Sequence, residues 1–268
     1  MAIKDITLGQ YFPGESAVHR LDPRTKILGT FVFIISLFIV NRFAGFAIAA
    51  VFLGAVIAAS RVPLKFMLKG LRPILFLIVF STLLNLFVTT GTPIFQIGPL
   101  SVTEEGVYRA SFMVIRLILL IFGSSLLTLV TKPITLTDGI ERLLSPMNIV
   151  KLPSHELAMM MTIALRFIPT LLDETDKIMK AQTARGADFE SGNLFRRAKG
   201  LIPLLVPLFV SAFRIAADLA MAMEARCYRG GKGRTRMNGM AFTGLDALAF
   251  LVLAVYFGSI VYVRLVTA

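Results

Sequence analysis

The chain has 268 residues, of which 56% are hydrophobic and only 16% are charged, and its mean hydropathy is +0.78. A soluble domain would carry about a quarter charged residues, so the composition excludes an ordinary soluble fold and predicts an all-α integral membrane protein. The formal net charge is +12. In a membrane protein such an excess collects in loops that stay cytoplasmic beside anionic lipid, so we expect no nucleic-acid partner.

The N-terminal segment, residues 1–26, is predicted to be cytosolic and to carry no cleavable signal peptide. Its basic residues Arg20, Arg24 and Lys26 favour the cytoplasmic side by the positive-inside rule. Asp22-Pro23 has the pattern of a helix N-cap followed by proline at the first helical position.

Five membrane spans are predicted. Four lie in a membrane region over residues 27–131, at 27–40, 43–60, 73–90 and 108–131. The fifth, at 243–263, lies in the C-terminal segment 241–268. Asn41-Arg42 separates the first two spans. One helix over both would measure about 50 Å, against a hydrocarbon core of about 30 Å, so we expect a hairpin. The first span is short for a full crossing. This arrangement places the N-terminus in the cytoplasm and the C-terminus outside.

The fourth span carries two further signals. Thr103 precedes Glu104 and Glu105, a pattern that predicts a helix N-cap with acidic residues in the first turn. Arg116 lies inside the apolar stretch, and charges within spans are often functional. The alternative is that its side chain extends to the outer membrane interface.

Residues 132–240 form a polar block that we interpret as a cytosolic region. It holds 16 of the 28 Lys and Arg residues and 10 of the 16 Asp and Glu residues. Helices are predicted at about 136–144, 154–185 and 193–229, the second kinked at Pro169. Hydropathy alone would also allow residues 201–223 to cross the membrane. We favour a helix at the membrane surface, because two spans here would place the charged stretch 173–200 outside.

One short pattern occurs twice in this block. Residues 181–186 read Ala-Gln-Thr-Ala-Arg-Gly, and residues 222–227 read Ala-Met-Glu-Ala-Arg-Cys, so both have the form A-x-x-A-R followed by a small residue. A basic residue at a helix C-terminus is favoured by the helix dipole. Equally, alanines leave a slim helix tip and arginine can bind carboxylates or carbonyls of a partner. The residues alone leave these two interpretations even.

Catalytic patterns are missing from the sequence. It contains no G-x-x-x-x-G-K-[ST] phosphate loop, no H-E-x-x-H pair and no cysteine–histidine cluster, so we expect no metal site and no cofactor in this chain. Carboxylates that could relay protons are nearly absent from the spans. A self-powered pump is therefore excluded, and a membrane enzyme is disfavoured. An autonomous secondary carrier or channel remains the alternative to a subunit driven by another protein.

The chain resembles the transmembrane T component of energy-coupling factor (ECF) transporters, the EcfT or CbiQ family. The resemblance covers nearly the whole length. It is carried by Tyr11-Phe12-Pro13-Gly14, by residues 19–26 (His-Arg-Leu-Asp-Pro-Arg-Thr-Lys), by residues 165–169 (Leu-Arg-Phe-Ile-Pro), and by the two arginine motifs. The family's motifs read Ala-Arg-Gly or similar. Ala184-Arg185-Gly186 matches fully, whereas Ala225-Arg226-Cys227 departs at its third position, where we expect that a small residue still fits.

The resemblance implies a non-catalytic coupling subunit in the bacterial cell membrane. Two cytosolic ABC ATPases would bind ATP-Mg, a membrane S component would bind a vitamin or a transition-metal ion, and this chain would join them. Helices 154–185 and 193–229 would each dock into one ATPase through the six residues of the two arginine motifs. Apolar residues on these helices would contact the S component, namely Leu157, Met161, Leu165, Ile168, Leu208 and Ala212.

Overall fold

The computed structural model describes residues 11–97, 100–145, 154–187, 189, 200–230 and 239–267. The described helices are α1 (Ala17–Arg20), α2 (Pro23–Ile39), α3 (Phe43–Ser60), α4 (Leu64–Leu71), α5 (Leu75–Val88), α6 (Glu104–Val130), α7 (Pro133–Leu144), α8 (Ser154–Ala184), α9 (Ile202–Ala225) and α10 (Gly244–Thr267). A 3₁₀ turn, Arg72–Ile74, joins α4 to α5, and strands β1 (Pro93–Ile97) and β2 (Leu100–Thr103) precede α6.

The chain divides into two compact units. The bundle unit comprises the described residues of 9–142 and 239–268, and the two-helix unit comprises those of 143–238. Helix α7 lies mainly in the bundle unit, where Gly139 approaches Pro23 and Ile27 at the start of α2.

Local sequence signals set the helix boundaries in the bundle unit. The Asp22 carboxylate accepts a hydrogen bond from the Arg24 N–H and Pro23 follows it, as the N-cap prediction required. The Thr103 hydroxyl accepts from the Gly106 N–H at the start of α6. The helix break predicted at Asn41-Arg42 lies between Ile39 and Phe43. Each cap satisfies an N–H group that the first helical turn leaves unpaired.

The core of the bundle unit is built from α2, α3, α6 and α10. Phe33, Leu37 and Ala49 are almost fully buried in it, together with residues of the other two helices. The Tyr256 ring stacks on Phe52 with centroids 4.1 Å apart, and its hydroxyl lies 2.6 Å from the Ser36 hydroxyl. This hydrogen bond satisfies two polar groups that would be costly in an apolar interior.

A small antiparallel hairpin connects α5 to α6. Ile97 pairs with Leu100 and Pro93 pairs with Thr103, with one irregularity between Pro93 and Phe95. The Thr103 hydroxyl donates to the Thr89 carbonyl at 2.9 Å and so ties the hairpin to the end of α5. The described part of the connection between α5 and α6 is therefore partly extended.

By length and composition, six helical stretches in the described part of the chain are candidates to cross a membrane: Phe43–Ser60, Leu64–Val88, Glu104–Val130, His155–Ala184, Ile202–Ala225 and Gly244–Val266. They confirm a multi-pass all-α membrane protein. The six include α8 and α9, for which we predict a surface position, and they omit the 17-residue helix α2. The assignment of the individual crossings stays a prediction.

The two-helix unit consists of α8 and α9, which pack against each other. Both helices expose most of their surface, since only 6% of the most apolar window of each is buried. Pro169 lies inside α8, while Pro203 and Pro207 lie in the first turns of α9. Helix α9 ends at Ala225 rather than at the predicted residue 229.

Candidate functional site

The first arginine motif forms the C-terminal cap of α8. The Ala187 N–H donates to the Gln182 carbonyl at 3.0 Å, and the Gly186 N–H donates to the Thr183 carbonyl at 2.9 Å. Gly186 has a φ of +88°. These two hydrogen bonds around a left-handed residue define a Schellman motif, in which Arg185 is the C-cap residue directly after the last helical residue, Ala184.

The second motif forms the same cap on α9. The Tyr228 N–H donates to the Met223 carbonyl at 3.0 Å, and the Cys227 N–H donates to the Glu224 carbonyl at 2.8 Å. Cys227 has a φ of +56° and takes the place of Gly186. This left-handed residue stops α9 four residues before the predicted end. Arg226 occupies the position that Arg185 occupies in α8.

The backbone at the third motif position is left-handed in both motifs, a conformation that favours glycine but that Cys227 also adopts. A Cβ at Gly186 would meet nothing within 4 Å, so space is not limiting there. A left-handed φ costs an L-residue about 1–2 kcal/mol, and glycine avoids that cost. Cys227 therefore carries backbone strain that Gly186 does not.

All six motif residues are exposed, namely Ala184, Arg185, Gly186, Ala225, Arg226 and Cys227. Within the described part of the chain, neither Arg185 nor Arg226 lies within 4.0 Å of a carboxylate oxygen, whereas Lys177 and Lys180 pair with acidic residues one turn away. The two guanidinium groups are thus presented to solvent at capped helix tips. This arrangement provides a rigid cation for a partner's carboxylates or carbonyls.

The two motifs lie at opposite ends of the two-helix unit. The Tyr228 hydroxyl donates to the Met159 sulfur at 3.0 Å, which places the tip of α9 beside the first turns of α8. Met159 precedes Arg185 by 26 residues of helix, so the two arginines are separated by up to about 39 Å at 1.5 Å per residue. The two arginines therefore offer a partner two separate contact points, one at each end of the unit.

The six predicted S-component contacts differ in exposure. Leu157 and Met161 are exposed on α8, whereas Leu165, Ile168, Leu208 and Ala212 are half-buried. On α9 the strongly exposed apolar side chains belong to another face, which includes Val206, Phe209 and Phe213. Hydropathy spacing identified the helices as one-sided but did not indicate which side of α9 packs against α8.

The oppositely charged side chains Arg214 and Asp218 of α9 do not form an ion pair with each other. Arg214 and Asp218 are one turn apart, but no nitrogen–oxygen distance of 4.0 Å or less joins these two described side chains. Both are exposed, where water competes for each charge and holding two long side chains together costs entropy.

A network of hydrogen bonds, which we call the polar clasp, joins the N-terminal residues of the bundle unit to α6 and to the start of α10. Its members are Phe12, Ser16, His19, Asp22, Arg24, Lys26, Leu129, Val130, Thr243 and Asp246. His19 Nε2 lies 3.1 Å from the Phe12 carbonyl, and the Phe12 N–H donates to the Leu129 carbonyl at 2.8 Å. Lys26 donates to the His19 and Val130 carbonyls at 2.8 and 3.2 Å.

The clasp also joins the starts of α2 and α10. The Asp22 N–H donates to Asp246 Oδ1 at 2.8 Å, and Asp246 Oδ2 accepts from the Thr243 N–H and hydroxyl, each at 2.8 Å. The clasp therefore holds the starts of α2 and α10 and the end of α6 at one face of the bundle. Sequence spacing could not have shown this, since Asp22 and Asp246 are 224 residues apart.

Burial and charge shift the pKa values of Lys26 and Asp22 in the clasp, just before the predicted span 27–40. Burial lowers the pKa of Lys26 to about 8, although the Asp246 and Asp22 carboxylates act in the opposite sense. Burial raises the pKa of Asp22, but the hydrogen bonds and charge of Arg24 outweigh burial, so its pKa is lowered. The Arg24 guanidinium also covers the Phe242 ring at 3.9 Å.

Arg116 turns inward rather than outward. Its Nη2 donates to the Val40 carbonyl at 3.2 Å, and its guanidinium lies 5.1 Å from the Phe112 ring centroid. Val40 is the C-cap of α2, where the helix dipole favours a cation. The interaction satisfies an orphan carbonyl at the α2–α3 turn.

No group of three or more His, Cys, Asp or Glu side chains in the described ranges is arranged to hold a metal ion. His155, the second residue of α8, is not part of such a group.

Comparison with known proteins agrees with this architecture. A family described as cobalt transport protein, CbiQ, matches residues 14–237. Three curated relatives, each named energy-coupling factor transporter transmembrane protein EcfT, match most of the chain. The protein of Thermosediminibacter oceani is 61% identical over 93% of this chain and 94% of its own. The corresponding values are 56%, 95% and 95% for Ruminiclostridium cellulolyticum and 49%, 96% and 97% for Bacillus subtilis. The chain therefore belongs to the EcfT family of transmembrane subunits of energy-coupling factor transporters.

Proposed function

We propose that this chain is the non-catalytic coupling subunit of an ECF-type ABC importer, in which each arginine motif anchors one of two cytosolic ATPases. The observation that carries the proposal is the pair of matching C-caps. Arg185 and Arg226 occupy equivalent positions on exposed helix tips, and up to about 39 Å separates them. Two equivalent tips at opposite ends of this helix pair fit a partner with two equivalent halves.

The coupling itself follows from the rigidity of each tip. A Schellman cap fixes the last helical turn, so a displacement of the anchored arginine moves the helix axis rather than fraying its end. Closure of the two ATPases on ATP-Mg would change the distance between the anchors and move α8 against α9. The exposed apolar side chains of these helices would transmit that motion to an S component in the membrane.

The orientation follows from the charge pattern. The basic block and the polar clasp are placed on the cytoplasmic side by the positive-inside rule, with the N-terminus inside. The transported compound is a vitamin or a transition-metal ion, and it binds to the S component rather than to this chain. We propose that α8 and α9 lie along the membrane surface.

The test replaces both anchors at once, Arg185→Ala with Arg226→Ala, and measures co-purification of the ATPases and ATP-dependent uptake in cells. Both are expected to be lost, because each anchor contributes a charge-assisted contact that alanine cannot make. The matched control removes two other exposed arginines of the same unit, Arg214→Ala with Arg229→Ala, and is expected to keep both activities.

Two outcomes would contradict the proposal. Uptake by vesicles that contain this chain without any ATPase would identify an autonomous carrier or channel. Full ATPase association and ATP-driven uptake in the double anchor variant would show that the arginines act only as helix caps.

A further inference from the structure

The bundle unit contains a cleft of about 360 Å³ between α2, α3, α6 and α10. Small side chains of three helices leave the space open, among them Gly29, Ala55, Ala59 and Ala249. A Cβ built on Gly29 would meet nothing within 4 Å, so the space begins at the backbone of α2.

The cleft is apolar. Of its lining residues only Thr25, Lys26 and Thr30 carry polar side-chain atoms, and all three are on the first two turns of α2. The Lys26 ammonium group already donates to the His19 and Val130 carbonyls. A buried water needs two to four polar partners, and most of this wall offers none. Hydrocarbon is therefore the occupant that the wall favours.

The cleft opens sideways. Exposed residues of α3 and α10 line its opening. Among them, Leu248 is 63% exposed and Val252 is 44% exposed. Both helices are candidates to cross the membrane. An opening between two such helices faces lipid, and leaving it empty would forfeit the contacts of the atoms that line it.

Volume separates a lipid chain from a protein segment. A 150 Å³ cavity accepts benzene, which corresponds to about 25 Å³ per carbon, so 360 Å³ accommodates roughly 14 carbons. A helix about 10 Å in diameter would fill this volume with only about 5 Å of its length, which is a single turn. The size matches one fatty-acyl chain and is too small for a helix.

We propose that this cleft binds one acyl chain of a phospholipid from the cytoplasmic leaflet. Its polar end lies at the start of α2, beside Lys26 and the exposed Arg20, where a lipid phosphate finds positive charge. The bound chain completes the packing of the bundle unit where small residues leave it open. This inference does not depend on ATPase docking.

The first experiment compares two glycine substitutions in the full chain, extracted from membranes in mild detergent and analysed by native mass spectrometry. Gly29→Phe places a ring in the cleft. Gly54→Phe places the same ring on an exposed position of α3 that does not line the cleft and also has open space. Wild type and Gly54→Phe are expected to retain one phospholipid, and Gly29→Phe is expected to lose it. Equal retention in both variants, or none in wild type, overturns the proposal.

A second experiment protects the test against misfolding of Gly29→Phe. A photoreactive benzoylphenylalanine replaces Leu248 at the rim of the cleft in the assembled complex in cells. An adduct of phospholipid mass supports the proposal. An adduct to another polypeptide, or to another part of this chain, overturns it, because a protein segment would then cover the opening.

Discussion

The cap geometry predicts opposite effects for two exchanges at the third motif position. Gly186 has a φ of +88° and Cys227 a φ of +56°, so both backbones are left-handed. An L-residue pays about 1–2 kcal/mol for this conformation. Gly186→Ala should therefore destabilise the end of α8 by about 1 kcal/mol, and Cys227→Gly should stabilise the end of α9 by a similar amount.

These values translate into measurable local opening. A change of about 1 kcal/mol alters the population of a frayed helix end about five-fold. Hydrogen–deuterium exchange with mass spectrometry on the full chain should show faster exchange over 182–187 in Gly186→Ala and slower exchange over 223–228 in Cys227→Gly. A control at Gly239, which has open space and no left-handed φ, should change neither segment when replaced by alanine.

Changes of the same sign in both variants, or exchange rates that are unaffected, would contradict a left-handed cap at these two positions. Either result would mean that the backbone at these positions is not left-handed in solution. The equivalence of the two motifs would then have no structural basis.

Three further predictions concern the bundle unit, all measured as thermal unfolding in detergent. Arg116→Met leaves the Val40 carbonyl without its donor and should lower the free energy of unfolding by about 1–3 kcal/mol. The control, Arg214→Met at an exposed position, should change it little. Equal melting temperatures for the two variants would show that Arg116 does not cap α2. Asp246→Asn replaces an oxygen that accepts hydrogen bonds in the clasp and should cost about 1–3 kcal/mol, with the exposed Asp218→Asn as control. Because burial lowers the pKa of Lys26 to about 8, the unfolded chain binds more protons than the folded chain between about pH 8 and 10.5, the usual pKa of a lysine. Stability should therefore rise with pH across that window, and Lys26→Met should reduce the slope; a slope unchanged by Lys26→Met would contradict this pKa.

Local sequence signals were sufficient for much of the fold. The caps at Asp22 and Thr103 and the break at Asn41-Arg42 follow from a few neighbouring residues, and the structure confirms all three. Such signals depend on unpaired N–H groups in a first helical turn, so they can be read without knowledge of the rest of the chain.

Long-range contacts could not be predicted from the sequence. The Asp22–Asp246 and Ser36–Tyr256 hydrogen bonds join residues more than 200 positions apart, and spacing carries no information about such pairs. The inward turn of Arg116 was equally open, because an arginine within a span can cap a neighbouring helix or reach the interface.

The arginine motifs were predicted correctly in one respect and incorrectly in another. The repeated pattern located two helix ends correctly, since Arg185 and Arg226 each cap a helix. The pattern did not show that the third position is left-handed, so it placed the end of α9 too late and treated Cys227 as a question of size. A non-glycine residue with positive φ is uncommon, and only one of the two motifs has glycine at this position.

In the proposed function, Arg185 and Arg226 each hold a separate ATPase subunit. The most direct measurement places a photoreactive residue at Ala184 or at Ala225, which neighbour the two anchors and are exposed, and detects adducts in cells. We predict that both positions cross-link to ATPase, that Arg185→Ala abolishes only the adduct at 184, and that Arg226→Ala abolishes only the adduct at 225. Adducts at both positions that survive both arginine substitutions, or no ATPase adduct at either position, would contradict the claim.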